Sequence, residues 1–250
     1  MSTKIDVLCM MAHPDDAELQ CGGTLIKLKD QGYSVGIVDF TRGELGTRGN
    51  PEEREREAKC AADIMDVDFR VNLTFPDAHI ENTVENRRQV VQTIREYRPH
   101  LIITHDINNR NPDHTYTAML VKESSFTSGL AKYDTVGQEP YRPNKILYSM
   151  EYYEFEPSII VDITGQFERK MSAISCYRSQ TYNPEYEASP TYIASERFLK
   201  ELETRVRFYG SKIHKDYGEA FRMDTPVEID DVVKEIALRS IIPGQGKKNK

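Results

Sequence analysis

The sequence lacks tryptophan, has only four cysteines among its 250 residues, and contains no long apolar run. A membrane-spanning helix needs about 18 consecutive apolar residues, so we do not expect a membrane protein. The cysteines are scattered and form no C-x-x-C pair: Cys9, Cys21, Cys60 and Cys176. This spacing argues against a disulfide framework and against a cysteine-based zinc site, and it predicts four reduced thiols with structural roles.

An excess of basic residues is also missing, because 33 Lys and Arg face 40 Asp and Glu and the net charge is -7. A general nucleic-acid binder would show a basic stripe, so no nucleic-acid partner is expected. Lys247, Lys248 and Lys250 predict a basic, flexible tail over residues 244–250, after a single domain of residues 1–243. The first residues lack the features of a secretory signal, which predicts a cytoplasmic location and no membrane partner.

Short apolar runs alternate with helical patterns in the first half, which is typical of βαβ units and a parallel sheet. The predicted strands are residues 5–11, 34–40, 69–73, 101–104, 145–150 and 159–162. The predicted helices are residues 23–31, 51–65, 84–97, 114–125, 165–177 and 189–209. The expected fold class is therefore α/β: a Rossmann-like, doubly wound and mainly parallel sheet with helices on both faces, in a single domain.

Polar side chains follow the first and the fourth predicted strands. His13, Asp15 and Asp16 stand in AHPDDAE after the first strand, and His114 ends the segment NPDH after the fourth. In the common strand order 3-2-1-4-5 these two strands are neighbours, and ligands bind outside their carboxyl ends. Two imidazoles and a carboxylate with an open position are typical of catalytic zinc. We predict that His13, Asp16 and His114 bind Zn²⁺, although Fe²⁺, Mn²⁺ and Co²⁺ accept the same ligands.

Asp15 is the predicted general base. A metal lowers the pKa of its bound water, and a neighbouring carboxylate can take the water's proton. The alternative is that the Asp pair only caps a helix and that His13 is an ordinary polar residue at a strand end. Gly22 and Gly23 could form a phosphate-binding turn, but no G-x-G-x-x-G follows the strand. Because two adjacent carboxylates would also repel a pyrophosphate, no nucleotide cofactor is expected.

Four segments resemble the LmbE/PIG-L-like zinc-dependent N-deacetylases: AHPDDAELQCGGTL, DFTRGELGTRGNPEERERE, NPDH and CYRSQ. The resemblance extends to about residue 226 and is strongest to the branch that deacetylates N-acetyl-alpha-D-glucosaminyl L-malate (GlcNAc-malate) in bacillithiol biosynthesis. It implies a small-molecule GlcNAc conjugate as substrate, acetate and a free amine as products, and a homo-oligomer, often a hexamer. It also implies the same metal ligands, His13, Asp16 and His114, with Asp15 as the base.

The resemblance leaves other functions open. Related enzymes are amidases of bacillithiol S-conjugates or deacetylases of other GlcNAc glycosides. From a different class, a non-catalytic sugar- or metal-binding protein is the alternative. The polar stretch of residues 177–192 predicts a loop over the crevice that could gate a site.

Four further residues are predicted to contact substrate. Arg54 stands where the bacillithiol branch has an arginine for the malate carboxylate, although ion pairs with neighbouring Glu residues on a helix surface would also explain it. Arg48, in the loop GTRGN, could reach a substrate or be solvated. Asp77, after the third strand, could contact the sugar or only form a turn. Arg110 could bind substrate or a neighbouring carboxylate.

Asn111 departs from the family's usual His-Pro-Asp-His. In the family, that first His is thought to pair with the following Asp and to stabilise charge near the reacting carbonyl. Asn111, also a predicted substrate contact, can donate a hydrogen bond but cannot titrate. Asp113 is a predicted catalytic residue that orients an active-site group, with a helix N-cap as the alternative. His105 could supply an imidazole instead, or be an ordinary loop residue.

Overall fold

The computed structural model of the protein describes residues 4–237. Apolar runs form the strands, and β1 and β2 are buried at every residue because helices cover both faces of the sheet. In chain order the elements are β1 Val7–Met11, α1 Asp16–Asp30, β2 Val35–Thr41, α2 Pro51–Met65, β3 Phe69–Phe75, α3 Val84–Tyr97, β4 Leu101–His105, α4 Pro112–Thr127, β5 Lys145–Ser149, β6 Ile159–Asp162, α5 Phe167–Ser175, α6 Glu196–Lys212, β7 Gly218–Arg222 and a short π-helix Val233–Ala237.

The sheet has the order β3-β2-β1-β4-β5-β7-β6. The strands from β3 to β5 are parallel, whereas β7 runs antiparallel to both β5 and β6. The predicted α/β class is confirmed, and strands β1 to β5 have the common order 3-2-1-4-5 on which the site prediction depended. The order places β1 beside β4, so the segments AHPDD and NPDH follow neighbouring strands.

Two apolar clusters pack on the two faces of the sheet. On one face, Cys21 of α1, Ala61 of α2 and Ala173 of α5 pack against β1 and β2. On the other face, Ile94 of α3 and Leu120 of α4 pack against the same strands. This doubly wound arrangement leaves the carboxyl ends of the parallel strands free to carry a site.

Strand β7 was not predicted from the sequence, because GEAFR carries charges and no apolar alternation. Glu219 in this strand is buried and forms a 2.5 Å ion pair with the buried Lys170 of α5. It also accepts hydrogen bonds from the backbone N–H groups of Gly23 and Thr24 in α1. Partners distant in sequence therefore satisfy a charge that would otherwise exclude the strand from the core.

Four predicted helix starts were wrong. Helix α1 begins at Asp16 rather than residue 23, so Gly23 lies inside the helix. The glycine there does not mark a helix start; it is required because an added Cβ would come within 2.7 Å of Ile163.

Helix α4 begins at Pro112 rather than residue 114, and the Asn111 side chain caps it by accepting a 3.0 Å hydrogen bond from the Asp113 N–H. The N-cap is thus Asn111 and not Asp113. Helix α5 begins at Phe167 rather than residue 165. Helix α6 begins at Glu196 rather than residue 189, and the Ser195 side chain caps it by accepting a hydrogen bond from the Phe198 N–H.

The prediction of four reduced cysteines was wrong for one pair. A disulfide joins Cys60 in α2 to Cys176 after α5, with 5.9 Å between the Cα atoms. The two are 116 residues apart, so no local spacing in the sequence could indicate their pairing. Cys9 and Cys21 are free and buried, with 3.6 Å between their sulfur atoms.

Within residues 4–237, no helix is both long and apolar enough to cross a membrane. The predicted basic tail, with Lys247, Lys248 and Lys250, lies outside the described residues.

Candidate active site

A cavity of about 450 Å³ opens at the carboxyl ends of the parallel strands. The predicted site residues all line it: His13, Asp15, Asp16, Arg48, Arg54, Asp77, Arg110, Asn111, Asp113 and His114. Gln180, Thr191 and Tyr192 form part of its wall, so the segment predicted as a loop over the crevice does lie at the cavity. The topology therefore gathers distant sequence motifs into one pocket.

Three side chains converge at the base of the cavity. The Nδ1 atom of His13 lies 3.2 Å from Oδ2 of Asp16 and 3.3 Å from Nε2 of His114. Oδ1 of Asp16 lies 3.2 Å from the same His114 nitrogen. In a tetrahedral zinc site with bonds of about 2.0–2.1 Å, neighbouring ligand atoms are about 3.3 Å apart. These residues, which we call the ligand triangle, thus fit a divalent metal ion.

Carboxylates fix the orientation of both imidazoles. Oε2 of Glu151 lies 2.8 Å from Nδ1 of His114, and Asp77 and Asp113 lie 3.2 and 3.3 Å from Nε2 of His13. Ionised carboxylates only accept hydrogen bonds, so these ring nitrogens donate, and the opposite nitrogens supply lone pairs when a metal ion takes the place of their proton. Those opposite nitrogens are the ones in the ligand triangle, as in metal sites where a carboxylate orients a His ligand.

The electrostatics around the ligand triangle favour a cation. Burial lowers the pKa of the His114 imidazole, but Asp16 and Glu151 outweigh this effect and raise that pKa to about 10. Burial raises the pKa of Asp16, yet His114 and His105 bring it well below its usual value. The carboxylates are thus held ionised beside the imidazoles, and their negative field suits a bound metal ion.

Asp15 lies beside the triangle in a strained conformation. Its φ of 122° is rare for a residue with a side chain, and it stands directly before α1 as the N-cap residue without a capping hydrogen bond from its carboxylate. The carboxylate is buried, and its Oδ2 atom lies 3.0 Å from Nη2 of Arg54. Burial raises the pKa of Asp15 to about 7, although Arg54 opposes the shift. A carboxylate with this pKa can accept a proton near neutral pH.

Arg54 is buried and does not form the helix-surface pairs considered from the sequence. It donates to the Pro14 carbonyl oxygen as well as contacting Asp15, and its Nη1 lies 3.4 Å from Oε1 of Gln180. The structure therefore places Arg54 in the cavity as a partner of Asp15. Its binding of a substrate carboxylate stays a prediction.

Asp77 and Asp113 have structural partners besides His13. Asp77 accepts a 2.9 Å hydrogen bond from the Leu45 N–H, and Asp113 accepts a 2.7 Å hydrogen bond from the Ala78 N–H. Each carboxylate therefore ties a cavity loop to the His13 ring. This arrangement agrees with the predicted orienting role of Asp113, and the predicted sugar contact of Asp77 stays a prediction.

The remaining candidates differ in exposure. Arg110 is exposed, and its guanidinium lies 4.6 Å from the centre of the Tyr152 ring. His105 is fully buried: its Nε2 accepts a 2.9 Å hydrogen bond from the Ala12 N–H, and its ring stacks on His114 with centroids 4.0 Å apart. Burial lowers the pKa of His105 to about 4, so this ring is neutral and supports His114 rather than facing the cavity.

Glu151 is the functional candidate that the sequence interpretation missed. It lines the cavity two residues after the end of β5, and besides contacting His114 it accepts a 2.9 Å hydrogen bond from the Asn109 side chain. The rule that singled out His13 and Asp77, a polar residue after a parallel strand, applies to it equally. Arg205 of α6 was also missed; its Nη1 donates a 2.5 Å hydrogen bond to the Glu151 carbonyl oxygen.

The chain is similar in sequence and in structure to known proteins, and the similarity includes the ligand triangle. Residues 8–125, which include the whole ligand triangle, match the family model PIG-L, described as GlcNAc-PI de-N-acetylase. The crystal structure of the conserved protein TT1542 from Thermus thermophilus superposes with a TM-score of 0.82 and 35% identity, over 90% of this chain and 97% of that one. The chain belongs to the PIG-L family.

Two relatives of this chain are named as deacetylases of different substrates. Diacetylchitobiose deacetylase from Thermococcus kodakarensis is 29% identical over 86% of this chain and 82% of its own length. A probable N-acetyl-alpha-D-glucosaminyl L-malate deacetylase 2 from Bacillus cereus is 26% identical over 70% of this chain and 83% of its own length. The family resemblance is thus confirmed, and the bacillithiol branch stays a prediction.

Proposed function

We propose that this PIG-L family member is a metal-dependent N-deacetylase that hydrolyses the acetamide of a GlcNAc conjugate to acetate and a free amine. The observation that carries the proposal is the ligand triangle with the Asp15 carboxylate beside it in one cavity. Amide hydrolysis needs an activated water and a base in reach of it, and this arrangement provides the residues for both.

His13, Asp16 and His114 would hold the ion, with Zn²⁺ as the first candidate and Fe²⁺, Mn²⁺ or Co²⁺ as alternatives. Such an ion, when bound, lowers the pKa of a water molecule and polarises a carbonyl oxygen. Asp15 then takes a proton from the attacking water and passes it to the leaving nitrogen as the C–N bond breaks. Arg54 keeps the Asp15 carboxylate in place through their 3.0 Å contact.

Asp77, Asp113 and Glu151 keep the two imidazoles oriented. Their carboxylates contact the ring nitrogens that face away from the triangle. A hydrogen bond to the outer nitrogen keeps each ring in its orientation. The other nitrogen therefore stays at the distance from its neighbours that a metal ion requires.

The substrate is proposed as a small GlcNAc conjugate. The motifs of the bacillithiol branch and the Bacillus cereus relative support GlcNAc-malate as a candidate, and the Thermococcus relative supports diacetylchitobiose. Bacillithiol S-conjugates are the amidase alternative. A non-catalytic sugar- or metal-binding role is favoured by one observation: Asn111 caps α4 and brings no titratable group to the position where the family has His.

The test is amine and acetate release by the purified, zinc-supplemented protein from GlcNAc-malate and from diacetylchitobiose. We expect equal amounts of acetate and amine from at least one substrate. Stoichiometric metal and tight ligand binding without any amine would instead establish the binding role.

A further inference from the structure

Arg48 is a buried cation without an anionic partner. Its side chain lines the cavity and the residue is 6% exposed, yet its Nε and Nη2 atoms have no hydrogen-bond partner. Within residues 4–237, no carboxylate forms an ion pair with it. The guanidinium instead lies over the Tyr186 ring, whose centre is 4.9 Å from the guanidinium carbon.

Other buried arginines of the protein are compensated. Arg70 pairs with Glu18 at 2.5 Å and with Asp39 at 2.6 Å. Arg95 donates to several backbone carbonyl oxygens, including that of Ser128 at 2.9 Å.

Arg54 also leaves its Nε without a partner, but its guanidinium is compensated by Asp15 at 3.0 Å and by the Pro14 carbonyl oxygen. Among these arginines, Arg48 is the exception, because its side chain has neither a carboxylate nor a carbonyl partner among the described residues.

Burying an unpaired charge is costly, and a cation–π contact offsets only part of that cost. The planar guanidinium presents parallel N–H groups that match a carboxylate or a phosphate. The missing partner of Arg48 is therefore expected to be an oxyanion supplied by a ligand in the cavity.

The loop that carries Arg48 is held in place at two points. The Leu45 N–H donates to Asp77 at 2.9 Å, and Asp77 in turn contacts His13 of the ligand triangle. The side-chain amide of Gln180 donates to the Arg48 carbonyl oxygen at 2.7 Å. The loop that carries the Arg48 guanidinium is therefore fixed by hydrogen bonds, and it lines the same cavity as the ligand triangle.

We propose that Arg48 recognises a carboxylate or phosphate on the aglycone of the substrate, so that the enzyme acts on GlcNAc conjugates with an acidic aglycone. This inference rests on the proposed deacetylase function and narrows its substrate class. The two buried arginines of the cavity then have different roles. Arg54 forms an ion pair with Asp15, and Arg48 has unpaired N–H groups that can bind the anion.

The test compares GlcNAc-malate and GlcNAc 1-phosphate with the neutral diacetylchitobiose. In Arg48→Gln we expect kcat/KM for at least one acidic substrate to fall on the order of ten- to a hundredfold, mainly through KM, because a charge-assisted hydrogen bond is lost. Turnover of diacetylchitobiose should change by less than about threefold. The acidic substrate that loses activity identifies the anion as carboxylate or phosphate.

Two further variants make the result specific. Arg48→Lys keeps the charge but not the planar fork, so it should retain part of the affinity, and it replaces Arg48→Gln if that variant does not fold. Arg42→Gln is the matched control, because Arg42 is an exposed arginine of the same region that pairs with Glu52 at 3.0 Å. Equal losses on neutral and acidic substrates, or no loss on either acidic substrate, would overturn the proposal.

Calorimetry separates this proposal from the deacetylase function. Binding of GlcNAc-malate and of GlcNAc 1-phosphate is measured in the Asp15→Asn background, with and without Arg48→Gln. If no substrate releases amine but Arg48→Gln weakens binding of an acidic ligand, the anion subsite stands and the deacetylase proposal fails. If amine is released but Arg48→Gln leaves the affinity for both acidic ligands unchanged, the anion subsite is wrong and the deacetylase proposal stands.

Discussion

The Nδ1 atom of His114 lies 2.8 Å from the Oε2 atom of Glu151, so the outer nitrogen of a proposed metal ligand is bound to a carboxylate. His13 has the same arrangement through Asp77 and Asp113. Both imidazoles thus present their other nitrogen to Asp16. Metal sites depend on such outer partners almost as much as on the ligands themselves.

Glu151→Ala should lower the affinity of the protein for Zn²⁺ about 10–100-fold, because the His114 ring loses its orienting acceptor. Glu151→Gln keeps an accepting oxygen without the charge and should lose less. The dissociation constant is measured by competition with a chelator, and Glu154→Gln, an exposed neighbour, serves as the control. Unchanged affinity in Glu151→Ala would show that the contact does not support a metal site.

Asp15→Asn should reduce kcat by roughly a hundredfold or more, because the amide cannot accept the water's proton. The ligand triangle is untouched, so the variant should still bind one metal ion per chain. Turnover is measured on metal-loaded samples of matched metal content. Near-normal turnover of that sample would remove Asp15 from the role of base.

Unfolded, non-reduced protein should contain two titratable thiols, Cys9 and Cys21, because Cys60 and Cys176 are joined. The measurement is a thiol assay in denaturant without reductant. Four free thiols would contradict the disulfide and restore the expectation from the sequence.

Replacing Cys60 and Cys176 together by Ser should lower the free energy of unfolding by about 2–5 kcal/mol, because the bond closes a long loop in the unfolded chain. Denaturant unfolding at equilibrium measures the loss. Reductant should destabilise the wild type by a similar amount and leave the double variant unchanged. A double variant as stable as the oxidised wild type would show that the cross-link contributes nothing to stability.

The parallel half of the fold could be predicted because its strands are apolar and two of its helices, α2 and α3, have clear starts. Asn50 and Pro51 open α2, and Thr83 opens α3, with side-chain caps in the structure at both. The same strand ends carry His13 and His114, so simple topology brought these residues together. Neighbouring strands and local patterns were sufficient for this part.

Features that depend on distant partners could not be predicted. Glu219 lies in a strand because Lys170 and the α1 backbone satisfy its charge. Gly23 is a glycine inside α1 because an added Cβ would come within 2.7 Å of Ile163. The partner of Arg54 is Asp15, far earlier in the chain, whereas the sequence pointed to neighbouring Glu residues. In each case the deciding contact is tertiary and leaves no mark on local periodicity.

The central claim is that a metal ion in the ligand triangle enables hydrolysis of an N-acetyl group. It is tested most directly by titrating the chelated, metal-free protein with Zn²⁺ while acetate release and bound metal are measured together. We predict that acetate release rises in proportion to bound zinc and reaches its maximum at one ion per chain. In His114→Ala, both bound zinc and acetate release should be absent. Acetate release that persists in the metal-free protein, or full activity in His114→Ala, would contradict the account.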